Sequence, residues 1–309
     1  MEKMIVSGGN GFLGSHLVKR AIEINMKVTV IDDLSTMNEF NLPKQVELIK
    51  SKVEFFSTQE KYDYVVHLAS RPSPEDYQKH PVDTIMSNSV GTLNMLNIAR
   101  NSNAVFLYTS SSEIYGEAGI IPTPESYYGY VNPNGERSCY DEGKRFSEAL
   151  IMAYNREYDI DVRIERPFNV YGPGIRPDGL YGRVIPRFLL NALKGENLEI
   201  FGDGSKTRSF LYVDDWLEAT WRFLTFNNLS GQVLNVGSDK ELTIKGLAEI
   251  IIDLTSSRSR IIYSKNRIDD PSRRAADISR AISALNWKPK IDIKDGLKRT
   301  SEWIREKYL

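Results

Sequence analysis

The chain has 309 residues, with 40 Lys and Arg against 41 Asp and Glu, a formal net charge of −1 and a single cysteine. That length suits one large α/β unit or two joined lobes around a sizeable core, and the balanced charge leaves no footprint for nucleic acid or an anionic membrane surface. With Cys139 alone, an intramolecular disulfide and a cysteine-based metal cluster are both excluded, and no metal site is expected. No apolar run reaches the roughly eighteen residues of a membrane span, and Met1-Glu2-Lys3 leads into a strand-like segment rather than a signal peptide. The expectation is a soluble, cytoplasmic protein.

Lys3 to Ser7 reads as a short buried strand, followed at once by Gly8-Gly9-Asn10-Gly11-Phe12-Leu13-Gly14 and an amphipathic helix to about Ile24. Strand, glycine loop and helix form the dinucleotide-binding context. Gly8 permits the tight turn, Gly11 lets phosphate oxygens approach the backbone, and Gly14 lets helix and strand pack closely. The helix N-terminus stabilises a pyrophosphate through its N–H groups and partial positive charge. Lys27 to Asp32 is the next strand, and Asp32 falls eighteen residues after Gly14. A carboxylate there bonds a free ribose diol and repels a 2′-phosphate, which favours NAD over NADP.

Asp63 to Ala69 reads as a fourth strand, buried on both faces, with His67 inside it as a hydrogen-bonded core histidine. A helix is expected from about Pro81 to Arg100, carrying Val82, Ile85, Met86, Leu93, Leu96 and Ile98. Ala104 to Thr109 is the fifth strand. It ends in Ser110-Ser111-Ser112-Glu113, which delivers hydroxyls and a carboxylate to the carboxyl edge of a parallel sheet, where ligands bind. Ser138 opens a helix to about Tyr158, on which Tyr140 and Lys144 leave one face a turn apart. A positive charge beside a phenol lowers a pKa that is about 10 unperturbed, so such a tyrosine can serve as a base near neutral pH. Alone, a pair at this spacing is more often a half-buried ring beside a solvated charge, and the rest of the chain has to decide. Cys139 reads as packing.

Arg163 to Asn169 ends a sixth strand, and Tyr171-Gly172-Pro173-Gly174 leads the chain out of the first lobe. Further on, Val233 to Gly237 reads as a strand and Thr243 as the cap of a helix to about Thr255. Asp270-Pro271-Ser272-Arg273-Arg274 reads as a charged loop, and helices are expected over about 278–286 and 293–308. The organisation expected is a Rossmann-type doubly wound α/β domain over residues 1–169, with 211–236 returning to it, and a smaller lobe over 170–210 and 237–309.

In this order and context, Gly8 to Gly14, Asp32, the Ser111 region and the Tyr140–Lys144 pair resemble the extended short-chain dehydrogenase/reductases, the sugar-nucleotide epimerases and dehydratases, over essentially the whole chain. Among these, His67-Leu68-Ala69-Ser70, Ser111-Ser112-Glu113-Ile114-Tyr115-Gly116, Arg137-Ser138-Cys139-Tyr140-Asp141-Glu142-Gly143-Lys144-Arg145 and Asp269-Asp270-Pro271-Ser272-Arg273-Arg274 look most like the UDP-glucuronate decarboxylases. Arg71, Ser111 and Ala275-Ala276 depart from that pattern. The resemblance implies NAD bound by Gly8, Gly11, Phe12, Leu13, Gly14, Asp32, Leu68, Ala69, Tyr140 and Lys144. It implies a redox site of Tyr140, Lys144 and Ser111, with Glu113 and Arg274 assisting decarboxylation. It also gives a UDP-sugar site to Asn169, Arg183, Arg208, Tyr212 and Arg274, with Arg71 and Arg137 as candidates for a sugar carboxylate. Decarboxylation of UDP-glucuronate to UDP-xylose is the activity implied, a UDP-sugar 4-epimerase the alternative, and a homodimer through the Pro81 and Tyr140 helices the assembly.

Overall fold

The computed structural model describes residues 1–36, 42–179, 183–266 and 271–309. The chain opens with β1 (Lys3–Ser7), α1 (Phe12–Glu23), β2 (Lys27–Asp32), β3 (Glu47–Lys50) and β4 (Tyr64–His67). Next come α2 (Pro74–Lys79) and α3 (Pro81–Ser102), each starting on a proline, whose fixed φ suits the first helical position and whose missing N–H is not needed there. β5 (Val105–Thr109), α4 (Ser138–Tyr158) and β6 (Val162–Pro167) follow. The remaining elements are β7 (Val170–Tyr171), α5 (Val184–Lys194), β8 (Leu198–Phe201), β9 (Thr207–Ser209), β10 (Leu211–Tyr212), α6 (Val213–Thr225), β11 (Gln232–Val236), β12 (Glu241–Thr243), α7 (Ile244–Thr255), β13 (Ile261–Ser264), β14 (Arg273–Arg274), α8 (Ser279–Leu285) and α9 (Ile293–Tyr308).

Seven strands form one sheet in the order β11-β6-β5-β4-β1-β2-β3. The pairs from β6 to β3 are all parallel, with Ile5 beside Val65 and Thr29 at the centre. Buried on both faces, these strands read as near-continuous apolar runs. Met95 and Leu96 of α3 and Ile151 of α4 join Ile5, Val65, Phe106 and Ile164 in one core cluster. From β1 the chain winds outward to β3, then returns to β4 on the other side of β1. That reversal is the Rossmann switch point, and a crevice for ligands opens at the carboxyl ends of β1 and β4.

By internal contacts the chain forms two units, one of Met1–Ile114, Asn132–Arg166 and Leu217–Leu234, the other of Tyr115–Val131, Pro167–Trp216 and Asn235–Leu309. The second unit is built from short strands: β9 lies between antiparallel β12 and parallel β14, and β8 pairs with β13. Thr243 caps α7, its hydroxyl accepting from the Gly246 amide at 2.9 Å. Within the stretch read from sequence as a charged loop, Arg273 and Arg274 are instead a strand, because β9 offers them a parallel partner. Asp269 and Asp270 lie outside the described residues. Among the described residues no helix is long and apolar enough to cross a membrane, and no group of three or more His, Cys, Asp or Glu could hold a metal ion.

Candidate active site

The switch point is assembled by close backbone approach. Gly8 has φ +71°, and a Cβ there would lie 2.7 Å from the Ala69 nitrogen and 2.9 Å from the Leu68 carbonyl carbon. At Gly14 a Cβ would fall 2.3 Å from the Gly8 oxygen, so the first turn of α1 can press on the loop only without a side chain. Gly11 is the residue before α1; no side chain caps the helix and no acid sits in its first turn, which leaves the N-terminal N–H groups of Phe12 and its neighbours for an anionic ligand. Asp32 closes the loop from β2, accepting from the amides of Asn10 (3.0 Å) and Leu34 (2.9 Å). Burial holds its carboxyl above the usual aspartate range, against the pull of those two amides. Gly8, Gly11, Phe12, Leu13, Gly14, Asp32, Leu68 and Ala69 thus meet in one cradle that fits a dinucleotide.

The second cluster joins the end of β5 to α4. Helix α4 begins on Ser138 without a side-chain cap, because the chain arrives already turning: Ser138 donates to the Gly135 carbonyl, and Tyr140 and Asp141 to that of Arg137. Tyr140 and Lys144 are both buried, 5 % and 2 % exposed. The Lys144 ammonium donates to the Thr109 carbonyl at 2.8 Å and lies 4.6 Å from the Tyr108 ring centroid and 5.8 Å from that of Tyr140. Burial pulls its pKa down to about 7, opposed by the carboxylates of Glu148 and Glu165.

Three more ties bind α4 to the segment after β5. Ser110 donates to Glu148 at 2.5 Å, Arg145 donates to the Ile114 carbonyl at 3.0 Å, and Arg137 donates to Glu113. Arg137 also lies 3.8 Å from Asp141. Ser111 accepts from the Glu113 amide at 3.2 Å, which starts the 3-10 turn Ser112–Tyr115 and fixes where the Glu113 side chain departs. The structure thus brings Tyr140, Lys144, Ser111 and Glu113 to one junction. The Arg71 Nη1 group donates to both carboxylate oxygens of buried Asp76, each at 3.0 Å.

One neighbour gave no sequence signal. Tyr77 of α2 stacks on Tyr140 with ring centroids 5.3 Å apart and planes 8° from parallel, and its buried hydroxyl has no hydrogen-bond partner. Cys139 completes this small cluster, buried with its thiol 3.7 Å from the Tyr77 carbonyl, and burial pushes the thiol pKa up. His67 is a core residue, bonded to Ser7 at 2.6 Å and Thr92 at 3.1 Å.

In the second unit, Arg208 and Arg274 are register partners on β9 and β14. Asn169, with φ +40°, donates to the Ser209 carbonyl at the end of β9. Arg274 is buried and donates to the Gly116 carbonyl at 3.2 Å. The other two candidates stand on other elements. Arg183 precedes α5, and Tyr212 of β10 packs edge-on to Tyr171 with the Arg299 guanidinium 5.6 Å from its ring. Burial pushes the Tyr212 hydroxyl up to about 12.

The chain matches the NAD dependent epimerase/dehydratase family over residues 4–237. It is 42% identical to UDP-glucuronic acid decarboxylase 3 of Arabidopsis thaliana, over 98% of this chain and 89% of that protein. To UDP-glucuronic acid decarboxylase 1 of Danio rerio it is 38% identical, over 98% of this chain and 72% of that protein. Among solved structures it is similar to the UDP-glucuronic acid 4-epimerase of Bacillus cereus in complex with UDP-glucuronic acid and NAD, with a TM-score of 0.88 and 26% identity over 99% of this chain and 100% of the other. A UDP-glucose 4-epimerase of Thermotoga maritima superposes with a TM-score of 0.91 and 29% identity, covering 98% and 99% of the two chains. An α/β chain with a seven-stranded Rossmann sheet and a glycine cradle shaped for a dinucleotide, it belongs to the NAD dependent epimerase/dehydratase family, with NAD as its cofactor.

Proposed function

We propose that the protein is a UDP-glucuronate decarboxylase that forms UDP-xylose. Tyr140, as phenolate, takes the proton of the sugar C4 hydroxyl, Ser111 orients that hydroxyl, and Lys144 stabilises the phenolate. NAD, held by the glycine cradle and Asp32, supplies the hydride acceptor for C4 and the donor that later restores it. The 4-keto sugar is a β-keto acid: the bond from C5 to its carboxylate breaks, the electron pair passes into the enolate, and carbon dioxide leaves. Glu113 and Arg274 assist this step and the reprotonation of C5, and Tyr140 returns its proton to the C4 oxygen. Asn169, Arg183, Arg208 and Tyr212, with Arg274, hold the UDP moiety.

The observation that carries this reading is Glu113. Its carboxylate follows Ser111 by two residues and is tied through Arg137 to the start of the helix bearing Tyr140. A 4-epimerase needs Tyr140, Lys144 and Ser111 but no acid there. The likeness to solved 4-epimerases keeps that second reading alive. The test is incubation of the purified protein with UDP-glucuronate and NAD, following carbon dioxide and nucleotide-sugar products. Carbon dioxide with UDP-xylose is expected; UDP-galacturonate without carbon dioxide, or only UDP-glucose and UDP-galactose interconversion, would make it an epimerase.

The active form in this reading is a homodimer. Val82, Ile85, Met86 and Leu93 form one exposed apolar face of α3, with Phe146 exposed on α4, which packs beside it. A second copy of the same face fits that chemistry. Sedimentation should give a dimer that Met86→Glu with Phe146→Glu converts to monomer. The balanced charge and single buried cysteine fit a cytoplasmic setting.

A further inference from the structure

Beneath the β5–α4 junction lies a fully buried carboxylate that the reaction above does not use. Glu165 of β6 is 0 % exposed and accepts from the Thr109 hydroxyl at 2.7 Å and, across to α6, from the Thr220 hydroxyl at 2.6 Å. Thr109 faces two ways: its hydroxyl donates to Glu165 while its carbonyl accepts the Lys144 ammonium at 2.8 Å. The strand end that receives the lysine is thus held in place by the carboxylate. We infer that Glu165 is a positioning residue for Lys144, fixing through Thr109 the carbonyl that orients the ammonium and supplying buried negative charge that balances it. The inference rests on the Tyr140–Lys144 reading and adds to it a group on another strand.

The other charged and titratable groups around Lys144 do not take over this part. On its own helix, Glu148 is bound bidentately by Arg166 of β6, at 3.0 and 2.6 Å, and accepts from Ser110, so much of its charge is already balanced. Asp141 faces Arg137, and Tyr140 is the group to be activated. From β5, Tyr108 presents its ring face. From β4, His67 is buried and neutral, its pKa lowered first by desolvation and then by the Lys144 charge. α3 contributes the uncharged Asn88 and Thr92, both buried. Glu148 and Glu165 are the carboxylates that favour the charged form of Lys144, and Glu165 is the one coupled to it through a shared residue.

The test is the pH profile of kcat/KM for UDP-glucuronate in the NAD-loaded enzyme. Glu165→Gln keeps the shape and removes the charge, so Lys144 should lose its proton sooner: the alkaline limb moves down by about one pH unit and the plateau falls. Thr220→Val removes a hydrogen bond and keeps the charge, so it should lower stability and leave the limb in place. An E165Q profile superimposable on the wild type, or a T220V limb displaced as far as that of E165Q, would overturn the inference. Should E165Q not fold, Glu165→Asp, which withdraws the charge by one methylene, must move the limb the same way by a fraction of a unit; no displacement overturns the inference equally. Tyr140→Phe separates the two levels: a fully active Y140F defeats the underlying reading, whereas an inactive Y140F with an unmoved E165Q limb defeats only the role of Glu165.

Discussion

Two junctions at the carboxyl edge of the same sheet are built on opposite principles. The β1–β4 cradle is made by leaving side chains out, with glycines where a Cβ would strike backbone at 2.7 Å or less and a carboxylate met by two backbone amides. The β5–α4 junction is made by burying charge, with Lys144, Glu148, Arg166 and Glu165 each under a tenth exposed. A cofactor of fixed shape needs room, and a proton-moving tyrosine needs a field. Damage to the first should therefore be steric and flat with pH, damage to the second electrostatic and tilted by it.

The largest effect expected is at the second junction. Tyr140→Phe removes the hydroxyl and keeps the ring that stacks on Tyr77, so turnover should fall by about 10³-fold with the melting temperature unchanged. A Y140F enzyme with full turnover would sink the assignment of the base. Next is Arg166→Met. It strips the guanidinium from the bidentate pair and leaves Glu148 buried, at a cost of about 3 kcal/mol in urea unfolding. Adding Glu148→Gln should recover part of that loss, and a double mutant no better than R166M alone would show that shape rather than charge sets the cost.

At the cradle, Gly8→Ala forces a side chain into a left-handed backbone at φ +71° and against the Ala69 nitrogen. NAD affinity should drop by about 100-fold, equivalent to some 2–3 kcal/mol, measured by equilibrium titration. The contrast with the other junction lies in the pH dependence, since the loss should be equal at pH 6 and pH 9. A loss confined to one end of that range would make the cradle electrostatic after all.

The same contrast explains what could be read from the chain. The glycine spacing, Asp32 and the Tyr140–Lys144 turn are local patterns on long regular elements, and the helix read from Ser138 to Tyr158 has those limits in the structure. The cap at Thr243 is equally local. By contrast, Arg208 and Arg274, 66 positions apart, meet only because a three-residue strand and a two-residue strand pair in register, and no periodicity runs long enough to announce either. Segment Tyr115–Val131 groups with the second unit, although in the chain it lies between two Rossmann elements, β5 and α4. Tyr77 and Glu165 leave no local signal for a related reason: packing brings them to Tyr140 and Lys144 from 63 and 21 positions away. Sequence shows where a helix presents its faces, not what packs behind them.

The mildest prediction carries pH dependence into the cradle strand itself. His67 ends β4, fully buried, with Ser7 and Thr92 on its two ring nitrogens; desolvation, and then the Lys144 charge, lower its pKa from 6.5 to about 3. Because the folded value lies below the unfolded one, the unfolded chain binds the extra proton first as pH falls. Stability from the neutral ring is therefore complete above about pH 6.5 and is lost as pH drops from there through about 3. Between pH 7 and pH 5 the loss should be about 2 kcal/mol, read as a falling urea midpoint. His67→Gln does not titrate and should flatten that segment of the curve, even though it starts less stable. Parallel curves for the two proteins would mean that the ring is protonated inside the fold, and the polar contacts of Ser7 and Thr92 would then have to be serving a cation rather than a neutral imidazole.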